Sequence, residues 1–448
     1  MARSKTVYVC SQCGTTSPRP DGKCLRCGAW NSLEPEREGF HQLSRSGPTA
    51  KPVPLDEVDT QSGGEIRVRT GIDELDRTLG GGVVAGSVVL LGGDPGVGKS
   101  TLLLLALDRF ARRGLPVLYV SGEESAQQVA LRARRLGLGS SKMMFLAETD
   151  FATIEAAAND TRPTILVLDS VQTTAAPGVD SVPGSPSQIR EVAHRAMVFA
   201  KRTSTAIFLV GHVTKSGDIA GPKLLEHLVD TVLYFEGDGR SALRILRSVK
   251  NRFGATGELG VFEMVDDGLR EVPDASARLL EERSGDAPGT AVIASIEGSR
   301  PLLTEVQALV GRPSPQIPGR TCVGVDRTRV LMLAAVLEKQ GVTLFDRDIF
   351  VNAAGGIRLL EPAADLGILA AIVGSLRDQP VRTDTLVFGE VGLVGEVRAV
   401  SHPGLRIREA VRHGFRRIVG PVTAFRDVQS PIETLPVRTV REALGAIF

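Results

Sequence analysis

The sequence predicts an α/β fold, with a small cysteine module before the main sheet and a mixed α+β half after it. Three observations carry this. Continuous apolar runs alternate with helix-like runs from residue 87 to residue 210, the pattern of parallel strands covered on both faces by crossover helices. A glycine-rich stretch, Gly93-Asp94-Pro95-Gly96-Val97-Gly98-Lys99-Ser100-Thr101, stands between one apolar run, 87–91, and a helix-like run, 101–113. Four of the five cysteines fall within the first 27 residues.

At 448 residues the chain has room for about three domains of ~150 residues each. Its 42% hydrophobic and 23% charged residues suit an ordinary globular protein. A net charge of +1 supplies no global field for nucleic acid, so any basic surface is local. No run approaches ~18 uncharged apolar residues, and the N-terminus has no signal-peptide core. The expectation is a cytoplasmic protein with no membrane partner.

The cysteines pair as Cys10-x2-Cys13 and Cys24-x2-Cys27, ten residues apart, with Gly14 and Gly28 closing each pair. Four thiolates in two such turns build a tetrahedral Zn²⁺ site with no open position, hence a structural one. The alternative, disulfide pairing, belongs to an oxidising compartment. So short a segment folds only around its metal. From Leu33 to about Gly64 the apolar period gives way to Pro, Glu, Ser and Gly. Residues 1–33 are therefore expected as a zinc ribbon and 34–64 as a flexible linker. Cys322, alone in an apolar stretch, is expected in the core.

The glycine stretch has the Gly-x4-Gly-Lys-Ser spacing of a phosphate loop. Its glycines let the backbone curl so that N–H groups face a β-phosphate, and the following helix adds the positive end of its dipole. Lys99 is placed to reach the β- and γ-phosphates, and the Ser100 hydroxyl to ligate Mg²⁺. The bland alternative, a glycine turn with an incidental lysine, leaves the strand before and the helix after unexplained. The expected ligand is a nucleoside triphosphate.

Beyond the loop the pattern reads as strand 117–120, helix 125–136, strand 143–147, helix 153–159, strand 165–168, helix 188–202 and strand 206–210. Ile165-Leu166-Val167-Leu168-Asp169-Ser170 is an apolar strand ending in a carboxylate; many cores end so, but downstream of a phosphate loop Asp169 is the candidate to hold Mg²⁺ through water. Of Glu123 and Glu124, one is expected to polarise the attacking water and the other to favour a helix start, with Glu123 the chosen base. Gln172 and His212, shortly after strand ends, are either γ-phosphate sensors or satisfied polar residues.

The phosphate loop, Tyr119-Val120-Ser121-Gly122-Glu123-Glu124-Ser125 and Gly211-His212-Val213-Thr214-Lys215 resemble the RecA-type ATPase core. Lys250-Asn251-Arg252-Phe253-Gly254 behind a four-cysteine ribbon closely resembles the bacterial RadA (Sms) family of DNA repair proteins, over essentially the whole chain. The resemblance implies a hexameric ring ATPase that uses ATP on single-stranded DNA and branched recombination intermediates, beside a RecA-type recombinase. It also implies that Lys250 and Arg252 reach the ATP of the neighbouring subunit, where cations supplied in trans stabilise the transferring phosphoryl group. Read without it, Lys250-Asn251-Arg252 is a solvated basic turn after a strand. Two loops are candidates to face DNA: 177–186, rich in Gly, Pro and Ser and so expected to be mobile, and 215–223, with Lys215 and Lys223. Arg190 and Arg195 follow the first.

The ATPase domain is expected over 65–276 and a third domain over 277–448, with strands 289–296 and 302–309, helix 327–338, strand 349–353, helix 364–377, strand 386–388 and helix 405–412. Glu361-Pro362-Ala363-Ala364-Asp365-Leu366-Gly367 and Gly389-Glu390-Val391-Gly392-Leu393-Val394-Gly395-Glu396-Val397 resemble the Lon protease domain. That family cuts with a Ser-Lys dyad. Here no serine lies between Pro362 and Gly374, where Asp365, Leu366 and Gly367 stand, and the lysine position falls at or near Arg406. An arginine does not give up its proton to act as base. The third domain is thus expected as an inactive scaffold, with Arg406, Arg408, Arg412, Arg416 and Arg417 as either a DNA-facing surface or a solvated helix face. The leading expectation is an ATP-driven DNA motor that promotes branch migration. A signalling ATPase that phosphorylates itself and, less favoured, an ATP-dependent protease stand as alternatives.

Overall fold

The computed structural model describes residues 6–10, 15–37, 67–138, 142–212, 222–237, 242–281, 283–312, 318–426, 428 and 430–448. They fall into two compact units divided between Glu271 and Val272.

At the N-terminus β1 (Thr6–Cys10), β2 (Thr16–Ser17) and β3 (Leu33–Arg37) form an antiparallel sheet in the order β2-β1-β3. Leu33–Arg37, expected to open the linker, instead pairs along all of β1, with Cys10 opposite Leu33 and Thr6 opposite Arg37. An edge strand bonds on one side only, so it accepts Pro35 and charged residues that hide any apolar period. The rest of the expected linker, from residue 38 on, lies outside the described residues.

The main sheet begins after a small entry motif, in which β4 (Arg67–Val68) pairs with β5 (Val83–Val84) around α1 (Asp73–Thr78). Strand and helix then alternate: β6 (Val88–Gly93), α2 (Lys99–Arg112), β7 (Val117–Ser121), α3 (Ala126–Arg135), β8 (Met144–Ala147), α4 (Phe151–Thr161), β9 (Ile165–Asp169), α5 (Pro186–Thr203) and β10 (Ala206–His212). A short α6 (Pro222–Leu225) leads to β11 (Thr231–Glu236), β12 (Leu243–Asn251), β13 (Leu259–Val265) and β14 (Gly268–Glu271). The nine strands lie in the order β14-β13-β12-β11-β6-β10-β9-β7-β8. The six from β11 to β8 are parallel, and β12 to β14 extend the sheet by antiparallel pairing.

Strand alternation builds a core on each face. Val89 and Leu91 pack with Leu103, Leu107 and Phe110 of α2 on one side, while Val88 and Leu90 pack with Ile189, Val192 and Phe199 of α5 on the other. Each such side chain contributes about 1.5–3 kcal/mol. Local chemistry sets the helix starts. Ser125 and Gln128 form a reciprocal capping box on α3, and Ser185 caps α5 with Pro186 in its first turn. The 177–186 loop, expected to be mobile, is tied to α5, because Gln188 Nε2 donates to Val179 O and Ser181 O, each at 2.9 Å. Of the 215–223 loop, residues 215–221 lie outside the described residues.

The second unit holds α7 (Ala275–Leu280), β15 (Thr290–Glu297), β16 (Arg300–Gly311), β17 (Arg320–Val323), α8 (Arg327–Lys339), β18 (Asp348–Ala353), α9 (Asp365–Arg377), β19 (Thr385–Val387), β20 (Glu390–Val391), β21 (Val397–Arg398), α10 (Pro403–Arg412), β22 (Arg417–Pro421), β23 (Glu433–Val437) and α11 (Val440–Ile447). Its sheet runs β17-β18-β16-β15-β19-β22-β23, and β20 pairs with β21 apart from it. Residues 365–374 of α9 are all buried. Cys322 sits on edge strand β17 and is half-buried rather than core, since an edge leaves one side uncovered. Arg406 is wholly buried and cannot face DNA; α10 turns it inward onto Glu361. Arg412 and Arg417 are also engaged, with Asp274 at 2.7 Å and Glu433 at 3.1 Å. Arg408 and Arg416 are exposed. Among the described residues no helix is long and apolar enough to cross a membrane.

Candidate active site

The phosphate loop leaves the C-terminal end of β6. Gly93 has φ +153°, and a Cβ there would collide with the Phe235 carbonyl. Gly98, at φ +112°, precedes the first residue of α2, and a Cβ there would come 3.0 Å from Met264 Cε. Only glycine fits either position. The N–H groups of the first turn of α2 have no helical partner of their own and suit an anion.

Lys99 is the first residue of α2 and only 4% exposed. Its Nζ donates to Gly93 O at 2.7 Å and Asp94 O at 3.0 Å, and lies 3.2 Å from His212 Nδ1. Burial lowers its pKa to about 8, partly opposed by Asp169, Asp94 and Glu123. The next residue, Ser100, donates through Oγ to Asp169 Oδ2 at 2.6 Å. Asp169 is the last residue of β9, as expected, beside β7 and β10. A hydroxyl and a carboxylate in direct contact at the mouth of a phosphate loop are hard oxygen donors of the kind Mg²⁺ takes together with phosphate oxygens. The residues present fit that ion.

Glu123 follows the end of β7. Its Oε1 lies 3.2 Å from His212 Nε2 and accepts from Ser170 Oγ. The hydrogen bond from His212 is the largest cause, with Ser170 and Lys99 helping, that lowers its pKa to about 2 against the opposing effect of burial. Glu123 is therefore ionised at any physiological pH. Glu124, the other carboxylate, pairs with Arg132 of α3 at 2.5 Å and so supports the helix. His212 bridges the loop lysine and the candidate base, while Gln172 Nε2 donates to His212 O at 3.3 Å. Sequence reasoning missed Ser170 and Tyr119. The Tyr119 hydroxyl donates to Asp169 Oδ2 at 2.6 Å. No local signal marks Ser170 or Tyr119, because both meet their partners only across neighbouring strands.

Lys250 and Arg252 are not part of this cluster. Asn251 pairs with Thr231, and Thr231 with Val89, near the start of β6. The phosphate loop begins four residues farther along, about 13 Å at ~3.3 Å per residue. Lys250 Nζ donates to Glu226 O at 2.6 Å and Val229 O at 2.8 Å. Burial, with Arg252 nearby, lowers its pKa. Arg252 Nη1 donates to Asp230 Oδ1 at 3.1 Å, and Asp230 Oδ2 accepts from Val88 N at 3.0 Å. Asn251 Oδ1 accepts from Phe253 N at 2.9 Å, which shapes the turn.

In the ribbon the ligand atoms of Cys10, Cys24 and Cys27 all lie within 4.8 Å of one another, and Cys10 Sγ is 3.6 Å from Cys27 Sγ. Cys13 lies outside the described residues. Gly28 N donates to Cys24 O at 2.8 Å, closing the turn that aims the second pair. Three sulfurs converging on one point exceed what a disulfide uses, and they fit Zn²⁺.

Comparison with known proteins agrees with both modules. Residues 8–35 match the rubredoxin metal binding domain of the zinc-ribbon type, and residues 56–218 match an AAA domain. The AAA match spans Lys99, Glu123 and Asp169 and makes the core a nucleotide-hydrolysing ATPase. The chain is 48% identical over 455 residues to the DNA repair protein RadA of Pseudomonas aeruginosa, covering 100% of both. It is 48% identical to that of Halalkalibacterium halodurans and 47% to that of Bacillus subtilis, each covering 99% of both chains. With identity at this level running from ribbon to C-terminus, the chain belongs to the family of the DNA repair protein RadA.

Proposed function

We propose that this protein is an ATP-driven motor on single-stranded DNA that promotes branch migration of recombination intermediates beside a RecA-type recombinase. It works as a hexameric ring in the cytoplasm. The observation that supports this reading best is the division of cations over the sheet. Lys99 sits at the phosphate loop, while Lys250 and Arg252 lie at the far end of the sheet and cannot serve the same site. A second subunit that brings its Lys250 and Arg252 to this loop completes the constellation, so hydrolysis waits on assembly.

In the chemical step the loop N–H groups and Lys99 bind the β- and γ-phosphates. Ser100 and Asp169 would hold Mg²⁺, which would supply charge neutralisation to the phosphates. Glu123 orients the attacking water, and His212 keeps its carboxylate aimed and ionised. Lys250 and Arg252 of the neighbour stabilise charge on the transferring group. The second unit is a scaffold for the ring, because no serine stands between Pro362 and Gly374, and Arg406, at or near the lysine position of the protease resemblance, is locked in an ion pair with Glu361.

The test is ATPase rate with and without single-stranded DNA, followed by branch migration with purified protein. Strong stimulation, and extension by wild type but not by Lys99→Ala, are expected. Equal extension by both would overturn the motor. Transfer of radiolabel from ATP onto the protein would favour a signalling ATPase instead.

A further inference from the structure

The segment Tyr119-Val120-Ser121-Gly122-Glu123 contributes Glu123 to the site, but its first residue also has a partner there. Tyr119 lies in the middle of β7, between Phe145 of β8 and Val167 of β9, and is 1% exposed. Its ring stacks on Phe145 with centroids 6.1 Å apart and planes 19° apart. Packing alone would be served by phenylalanine, since a hydroxyl buried this deeply costs free energy unless it is bonded. The hydroxyl is bonded, to Asp169 Oδ2 at 2.6 Å, the same oxygen that accepts from Ser100 Oγ at 2.6 Å.

We infer that Tyr119 is a positioning residue for the metal carboxylate, fixing the rotation of Asp169 and thereby setting the divalent-cation affinity of the nucleotide site. This rests on the reading that Ser100 and Asp169 hold Mg²⁺. A carboxylate at the end of a strand turns about its last torsion, and one donor leaves it that freedom. Two donors from different elements, α2 and β7, hold Oδ2 at one point. When Ser100 oxygen turns its lone pair to a cation, Tyr119 still holds the carboxylate in place. Partners one shell out from a metal alter its affinity by about 10- to 100-fold when removed.

The experiment compares full-length wild type, Tyr119→Phe and Asp169→Asn. One readout is Mn²⁺ binding in the presence of ADP, followed by electron paramagnetic resonance. The other is the Mg²⁺ concentration for half-maximal ATPase at fixed ATP. Tyr119→Phe is expected to weaken Mn²⁺ binding and raise the Mg²⁺ requirement by about tenfold, with KM for ATP at saturating Mg²⁺ unchanged. A purely structural role would move the melting temperature and leave the metal requirement alone. A change under twofold in both readouts, beside a large shift in Asp169→Asn, overturns the role of Tyr119 and leaves the metal site standing. No shift in Asp169→Asn either overturns the metal reading itself. If Tyr119→Phe does not fold, 3-fluorotyrosine at position 119 keeps ring and hydroxyl and strengthens the donor; tighter Mn²⁺ binding supports the role, and unchanged binding rejects it.

Discussion

Arg406 and Glu361 form a two-pronged ion pair inside the second unit, with Nη1 donating to Oε2 at 3.0 Å and Nη2 to Oε1. Arg406 Nε also donates to Ser401 O at 3.1 Å, Nη1 donates to Ala294 O, and the guanidinium lies 5.8 Å from the Phe388 ring centre. Glu361 accepts in addition from Ile296 N at 2.7 Å, so the pair ties α10 to the central strand β15. Asp365 is held in a like manner by Arg329 and by Val391 N at 3.0 Å. Where the resemblance to a protease domain suggests a dyad, this unit has two structural clasps.

Arg406→Met is expected to destabilise the second unit by about 3–5 kcal/mol, because it strands Glu361 without its cation. Arg406→Met with Glu361→Gln should recover part of that loss. Denaturant unfolding of the full chain reads both, and a loss below 1 kcal/mol for the single change would mean the pair is incidental.

Glu123→Gln keeps the shape of the side chain and removes its charge. Hydrolysis should fall by about 10²- to 10⁴-fold while nucleotide binding is kept. A rate within tenfold of wild type, measured at saturating ATP, would remove Glu123 from the chemistry.

Nucleotide affinity should depend on pH through Lys99. Its pKa is about 8, and a bound polyphosphate favours the charged form, which raises that value. Binding is then unaffected well below pH 8 and weakens as pH rises above it, with proton uptake on binding. Calorimetry at pH 8.5 in two buffers of different ionisation heat should show uptake of most of one proton. No uptake would place the Lys99 titration elsewhere.

Cys24 is buried and Cys27 exposed, with both sulfurs aimed at Cys10. Native mass spectrometry is expected to find one zinc per chain, lost in Cys24→Ser. Retention of zinc by Cys24→Ser would show that the ion sits elsewhere.

If Lys250 and Arg252 act in trans, two inactive variants should rescue each other. Lys99→Ala spoils a subunit's own loop, and the double change Lys250→Ala with Arg252→Ala spoils its neighbour's site. Mixed assemblies contain some sites with both halves intact, so ATPase activity of the mixture should exceed the sum of the parts. Strict additivity in mixtures shown to exchange subunits would argue against sharing.

The sequence by itself determined the parts whose chemistry is local. The phosphate loop needs its glycines, lysine and serine within nine consecutive residues, and the cysteine pairs need only their turns. Continuous apolar runs announced five of the six parallel strands and nearly all of their helices. The strands β11, β13 and β14 were not foreseen, because Thr231–Glu236 and Leu259–Val265 have no helix after them to mark an alternation and Gly268–Glu271 is only four residues long. Tertiary structure alone decided the rest. Strand order brings Ser100 to Asp169 across 69 positions, Glu123 to Ser170 across 47 and Lys99 to His212 across 113. It also carries Lys250 and Arg252 to the end of the sheet away from the loop, and the packing of α10 turns Arg406 inward. Periodicity records which face of an element is apolar; it does not record which strand lies beside which. That order follows from burying all the faces at once, and it places the hydrogen bonds around Asp169.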